Sequence, residues 1–183
     1  MLTELRRAVI LALAALVVFG LAYPLVGIGL SRALFPSQAQ GSIGRYGSAL
    51  IGQSWSGNQW FHGRPDADNP LQENGRAGSS GAANLGPRSK VLVNDVRELI
   101  HYWHERGVNP TTDLVTTSAS GLDPDITPAD AIAQIPMVSA ATGISARRLR
   151  ELIRAETTGP ELGFLGPAYV NVLALNEALA RLR

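Results

Sequence analysis

The sequence contains no cysteine and a single lysine, Lys90. Without thiols there are no disulfides and no thiolate metal sites. Because Lys90 follows Ser89, the chain has no Gly-Lys pair and cannot form the phosphate-cradling loop that needs one. Charge is sparse as well: 17% of residues are Asp, Glu, Lys or Arg, and the formal net charge is +1. That leaves none of the basic surplus a nucleic-acid partner requires. No internal repeat is visible. With 183 residues, the chain has room for one helical span and one domain of about 150 residues.

What the chain has in excess is one apolar run. Ala8 to Leu30 carries no charge, and only Pro24 and the nearby glycines interrupt it. At about 1.5 Å per residue it reaches about 34 Å, enough to cross a hydrocarbon core of about 30 Å. A core helix this long would carry a polar face. A cleaved signal peptide is the rival reading, since Arg6 and Arg7 precede the run and Ser37-Gln38-Ala39 resembles a cleavage site. The run is longer than a signal core of about 7–15 residues, so a membrane anchor is expected, with lipid around it. Arg6 and Arg7 lie before it and Arg32 alone lies just beyond, so the positive-inside rule puts the N-terminus in the cytoplasm. The expected organisation is a cytoplasmic N-terminus at 1–7, a single transmembrane helix at 8–30 and a soluble, periplasmic domain at 31–183. Residues 33–183 hold 13 basic and 14 acidic groups, so this domain is nearly neutral.

The remainder reads as α+β. Gly41 to Trp55 suggests one or two short strands, and the Gly/Ser/Asn-rich tract from Gly75 to Gly86 a loop. Val91, Val93, Val96, Leu99, Ile100 and Trp103 recur mostly three or four apart, predicting an amphipathic helix from Ser89 to Arg106 that Gly107 ends. Leu114 to Thr117 reads as a short strand. Thr127-Pro128-Ala129-Asp130 has the parts of a helix start in order, and Pro136 predicts a kink or break before the helix ends near Ala141. Ser145 caps a further helix that is basic at Arg147, Arg148, Arg150 and Arg154. Tyr169 to Leu182 begins strand-like and ends helix-like. Short strands and helices without regular alternation point to α+β.

Few residues suggest chemistry. Ser79, Ser80, Ser118 and Ser120 lie in Gly-rich loops, but none has the Gly-x-Ser-x-Gly spacing of a nucleophile elbow. Their hydroxyls suit turn backbone. His101 and His104 with Glu105 could bring two imidazoles near a metal, yet no third ligand lies nearby in sequence, so no metal site is expected. His62, within Trp60 to Pro65, suits a packed aromatic turn. Between Arg106 and Arg147 there is no basic residue, while Asp113, Asp123, Asp125 and Asp130 fall in that interval. Without local counter-charges they would form a negative patch that attracts cations. In the alternative reading, Asp130 serves a helix start and Asp123 and Asp125 make turns around Pro124. No catalytic residue stands out.

Thr117 to Pro128, TSASGLDPDITP, closely resembles the Ser-rich Gly-Leu-Asp-Pro signature of the C subunit of the Kdp potassium-transporting P-type ATPase. Five further blocks agree in order: Gly47 to Gln53, Phe61 to Pro65, Ala83 to Pro87, Asp113 to Thr116 and Val170 to Asn176. The resemblance implies a non-catalytic subunit of a high-affinity, ATP-driven potassium import complex in a bacterial inner membrane. The implied partners are a channel-like potassium-binding subunit, a P-type catalytic subunit and a small single-helix subunit. It also implies a catalytic chaperone that raises the ATP affinity of the catalytic subunit, with Ser118, Ser120, Gln134 and the Arg147 to Arg154 helix as nucleotide contacts. No covalently bound cofactor is implied, and ATP is met only through the complex. Ala119 stands where the family more often has Gly, and Asp125 where it more often has His. The outward topology opposes nucleotide contact and favours a scaffold over the potassium-entry side. A freestanding membrane-anchored binding module is the non-transport alternative. As an assembly helix, the anchor would pack closely through Gly20, Gly27 and Gly29.

Overall fold

A computed structural model describes residues 2–65 and 80–183. Backbone contacts divide the chain into two compact units, Met1–Ile43 and Gly44–Arg183. The first is built on one apolar helix running continuously from Leu2 to Leu34, with no buried residue. It comprises α1 (Leu2–Val17), a π-helical turn (Val18–Ala22) and α2 (Tyr23–Leu34). The π turn sits where Pro24 demands it. Proline has no N–H to donate, and its ring collides with the carbonyl four residues earlier, at Gly20. The turn widens there, so that Tyr23 N bonds to Val18 O five residues back. Apolar residues thus continue through the proline without ending the helix. A short turn of helix, α3 (Pro36–Ala39), follows.

The second unit mixes helices with very short strands. β1 (Ile43–Gly44) pairs with β2 (Gly47–Ser48), as the Gly41 to Trp55 composition suggests. Of the Gly75 to Gly86 tract, residues 75–79 lie outside the described residues, Ser79 among them. The amphipathic segment forms α4 (Lys90–His104), capped by Ser89 Oγ, which accepts from Leu92 N. Gly107 closes it at φ +70°.

The predicted strand at Leu114 to Thr117 is a turn instead. Its backbone groups find other partners: Asp113 N donates to Asp130 Oδ2, Val115 N to Thr112 O, and Leu114 O accepts from Trp103 Nε1 at 2.8 Å. Those bonds, together with the complete burial of Leu114, outweigh the strand preference of the apolar and β-branched residues here.

Thr127 caps α5 (Pro128–Ala133) with Pro128 in the first turn. The chain breaks at Gln134 and resumes as α6 (Ile135–Thr142), because Pro136 cannot continue the hydrogen-bond ladder of α5. Gly143, at φ +74°, ends α6. Ser145 then caps α7 (Ala146–Ala155) by accepting from Arg148 N. β4 (Thr157–Thr158) and β5 (Tyr169–Asn171) lead into α8 (Val172–Ala180). With β3 (Asp125–Ile126) they form an antiparallel sheet of order β3-β5-β4, in register Asp125↔Asn171 and Thr157↔Val170. Leu149 and Ile153 of α7, Leu175 and Leu179 of α8, Val138 of α6, and Phe61, Trp103 and Leu114 join one buried cluster.

Candidate functional site

The four aspartates of the basic-free interval converge, but they are not equivalent. Asp130, three residues into the start of α5, is fully buried. Its carboxylate accepts from Thr111 N at 2.8 Å, Asp113 N at 3.0 Å and Thr127 Oγ1 at 3.1 Å. It binds the preceding loop to the helix N-terminus, where the macrodipole also favours its charge. Asp113 Oδ2 accepts from Thr127 N at 3.0 Å. The two carboxylates thereby lock the 111–113 turn onto α5.

Counter-charge comes from outside the interval, which corrects the expectation of an uncompensated patch. Arg64 Nη1 lies 3.4 Å from Asp113 Oδ1 and 3.3 Å from Asp123 Oδ2. The same guanidinium donates to Thr116 O and Thr117 O, its Nη2 bond to the latter being 3.2 Å. Only 20% of the side chain is exposed. The planar fork thus ties the Thr116–Thr117 backbone to two carboxylates at once, a task suited to Arg and not to Lys.

Asp125 lies beyond this pair, on β3 opposite Asn171 of β5. Asn171 Nδ2 donates to Asp125 Oδ1 and to Ala49 O, each at 3.0 Å, while Asn171 Oδ1 caps α8 by accepting from Ala174 N. Burial pushes the Asp125 carboxyl above its ordinary value of 3.8; the bond from Asn171 pulls it back, and the charge of Asp123 pushes it up again. Arg64, Asp113, Asp123, Asp125 and Glu161 line a cleft of about 430 Å³. With four carboxylates to one guanidinium, it is acidic when all are ionised.

The residues the family resemblance associates with nucleotide lie elsewhere. Ser118 is buried, with its Oγ 3.4 Å from Ser120 Oγ. Ser120 serves its loop: its hydroxyl accepts from Leu122 N and its carbonyl from Gly81 N and Ser80 Oγ. Gln134 is fully buried, and both ends of its amide are engaged by one residue. His62 N donates to Gln134 Oε1 at 2.7 Å, and Gln134 Nε2 donates to His62 O at 3.0 Å. Asn176 of α8 holds the neighbouring residue in the same way, accepting from Phe61 N at 2.9 Å and donating to Phe61 O at 2.8 Å. Two side-chain amides thus stand in for strand partners and clamp Phe61–His62. The His62 ring packs edge-on to Trp103, with centroids 5.6 Å apart. On α7, Arg147 and Arg148 reach Glu151. His101 pairs with Glu105 at 3.2 Å, and His104 Nε2 lies 3.4 Å from Asn109 Oδ1.

Reading the residues alone passed over Arg64, Glu161, Asn171 and Asn176. Arg64 had a usable signal, because a domain with four aspartates in a basic-free stretch must find a cation elsewhere. The amides had none, since nothing local distinguishes a buried Asn or Gln clamp from a surface one.

Across residues 5–181 the chain matches the family model described as KdpC: K+-transporting ATPase, c chain. It is 44% identical to the potassium-transporting ATPase KdpC subunit of Rhodopseudomonas palustris over 197 aligned positions, covering 98% of this chain and 97% of that one. The KdpC subunit of Methylorubrum populi is 46% identical, with 100% and 98% covered, and that of Bradyrhizobium diazoefficiens 43% identical, with 99% and 98% covered. A match of this length and identity means that the chain belongs to the KdpC family, the c chain of K+-transporting ATPases.

Proposed function

We propose that the chain is the accessory C subunit of an ATP-driven potassium uptake complex, anchored once in a bacterial inner membrane, with Gly44–Arg183 on the outer, potassium-entry side. Its partners in this reading are the channel-like subunit, the P-type catalytic subunit and a small single-helix subunit. The observation that carries the proposal is the Leu2–Leu34 helix, free of charge from Ala8 to Leu30 and without a buried residue. Such a surface is stable against lipid or against other membrane helices and costly in water. Gly27 and Gly29 have open space where a side chain would stand, which suits close approach of a neighbouring helix. Arg6 and Arg7 before the span, against Arg32 beyond it, support an inward N-terminus.

Outside the membrane the domain acts as a scaffold, and its acidic cleft raises the local concentration of potassium near the entry path. This reading is preferred to the nucleotide-contacting chaperone because Gln134 is sealed inside the domain with both amide atoms engaged. A reporter fused after Arg183 tests the topology: a periplasmic signal is expected, and a cytoplasmic one refutes the scaffold. The cleft is tested by potassium uptake in Asp123→Asn/Asp125→Asn, which spares the structural Asp113 and Asp130. Apparent affinity should fall at low ionic strength and approach wild type in high salt. Unchanged affinity at low salt removes the cation-attracting role.

A further inference from the structure

Among the described residues of the second unit, the two most exposed large apolar side chains, Leu162 and Phe164, stand on the loop joining β4 to β5. Leu162 is 81% exposed, Phe164 75% and Leu165 51%. Exposed apolar residues in a slack loop would mean little, but this tip is built. Glu161 and Leu165 exchange both backbone hydrogen bonds, at 2.9 and 2.8 Å. Gly163 N donates to Pro160 O, and Phe164 N to Glu161 O. Leu162 holds a left-handed backbone at φ +52°, followed by Gly163 at +83°, a conformation unfavourable for a residue with a Cβ. The turn therefore presents Leu162 and Phe164 outward in a fixed arrangement. Preorganised apolar anchors of this kind are what tight interfaces use.

Charge selects the partner. From Thr157 to Asn171 the chain has no Lys or Arg, and its one charge is Glu161. Glu161 and Leu165 border the acidic cleft that also holds Asp123 and Asp125. Amphipathic segments that lie in a bilayer interface are rich in Lys and Arg beside their apolar residues, and this loop has neither. A protein surface with an apolar pocket edged by Lys or Arg fits both features.

We propose that the Glu161–Leu165 tip docks into such a pocket on a large membrane subunit of the same transport complex, with Leu162 and Phe164 as the buried anchors and Glu161 facing a basic residue. This rests on the reading of the chain as an assembly subunit. The test uses the full chain coexpressed with its complex. Leu162→Asn, which keeps a residue tolerant of left-handed backbone, is combined with Phe164→Ser. Both side chains are exposed, so the thermal unfolding midpoint should stay at wild type while association with the large subunits weakens about tenfold to a hundredfold. In parallel, Phe164→p-benzoylphenylalanine is photocrosslinked in the assembled complex, and a product with a large subunit is expected. Crosslinking only to lipid, or wild-type association of the double variant, overturns the proposal. A loss of association by the double variant alongside a cytoplasmic signal from the Arg183 fusion would leave the docking tip standing and sink only the outward scaffold.

Discussion

Replacing Gln134 by Leu separates a structural role for this residue from a nucleotide-binding one. Leu has similar volume, so the change opens little cavity, but it strips His62 N and His62 O of the partners they have at 2.7 and 3.0 Å. Both groups sit in a buried segment, and each orphaned polar group costs about 1–3 kcal/mol. The expected loss is about 2–6 kcal/mol, a large share of the about 5–15 kcal/mol that holds a domain together. With a urea slope of about 2 kcal/mol/M, the unfolding midpoint should fall by about 1–3 M. Tryptophan fluorescence is the assay, because Trp103 packs against the ring of His62 and Trp60 immediately precedes the clamped pair.

Gln134→Glu refines the test. A carboxylate can accept from His62 N but cannot donate to His62 O; the protonated acid can do both. Burial raises the folded pKa of such a Glu above its unfolded value of about 4.3. The variant should therefore be closest to wild type below that value and lose stability as pH rises through the folded pKa. A midpoint shift worth less than about 1 kcal/mol in Gln134→Leu would refute the clamp, since even one orphaned group should cost that much. If ATP-dependent uptake also fell in that variant, the nucleotide reading would be favoured.

Arg64→Met should destabilise the domain by about 2 kcal/mol, the scale of hydrogen bonds to a charged group that is mostly, but not wholly, removed from water. Arg64→Lys should rescue little of it, because a point charge cannot span Asp113, Asp123 and the Thr117 carbonyl; urea unfolding of both variants checks this. Asp125→Asn should raise the thermal midpoint at neutral pH. The folded carboxyl is shifted upward from 3.8, so its ionisation opposes folding as pH rises through the folded pKa. The gain should shrink as pH falls toward 3.8, and a pH-independent difference would contradict the burial argument.

Much of the local structure was legible because its causes are local. A charge-free run of suitable length makes an apolar helix. Ser89, Thr127 and Ser145 act as caps through an oxygen that reaches the backbone N–H three positions on. Pro136 breaks a helix for reasons contained in its own ring. Two-residue strands are too short to leave a period in the sequence, so β3 and β4 emerge only from pairing with β5. Leu114 to Thr117 misled for the converse reason: its residues favour a strand, but Asp130 and Trp103 supply partners that make a turn.

By itself the sequence determined the long apolar N-terminal helix, the capped helices that follow it, and family membership through an ordered series of motifs. Tertiary structure decided which carboxylates are free to face a cleft and which side chains are internal. Arg64 meets Asp123 across 59 residues of chain, Gln134 reaches His62 across 72, and Asn176 reaches Phe61 across 115. At such separations a hydrogen bond depends on how the whole core packs, and neither periodicity nor local propensity records it. The anchor was therefore readable residue by residue, whereas the division of four aspartates into one buried staple, two partners of an arginine and one half-buried acid required the folded chain.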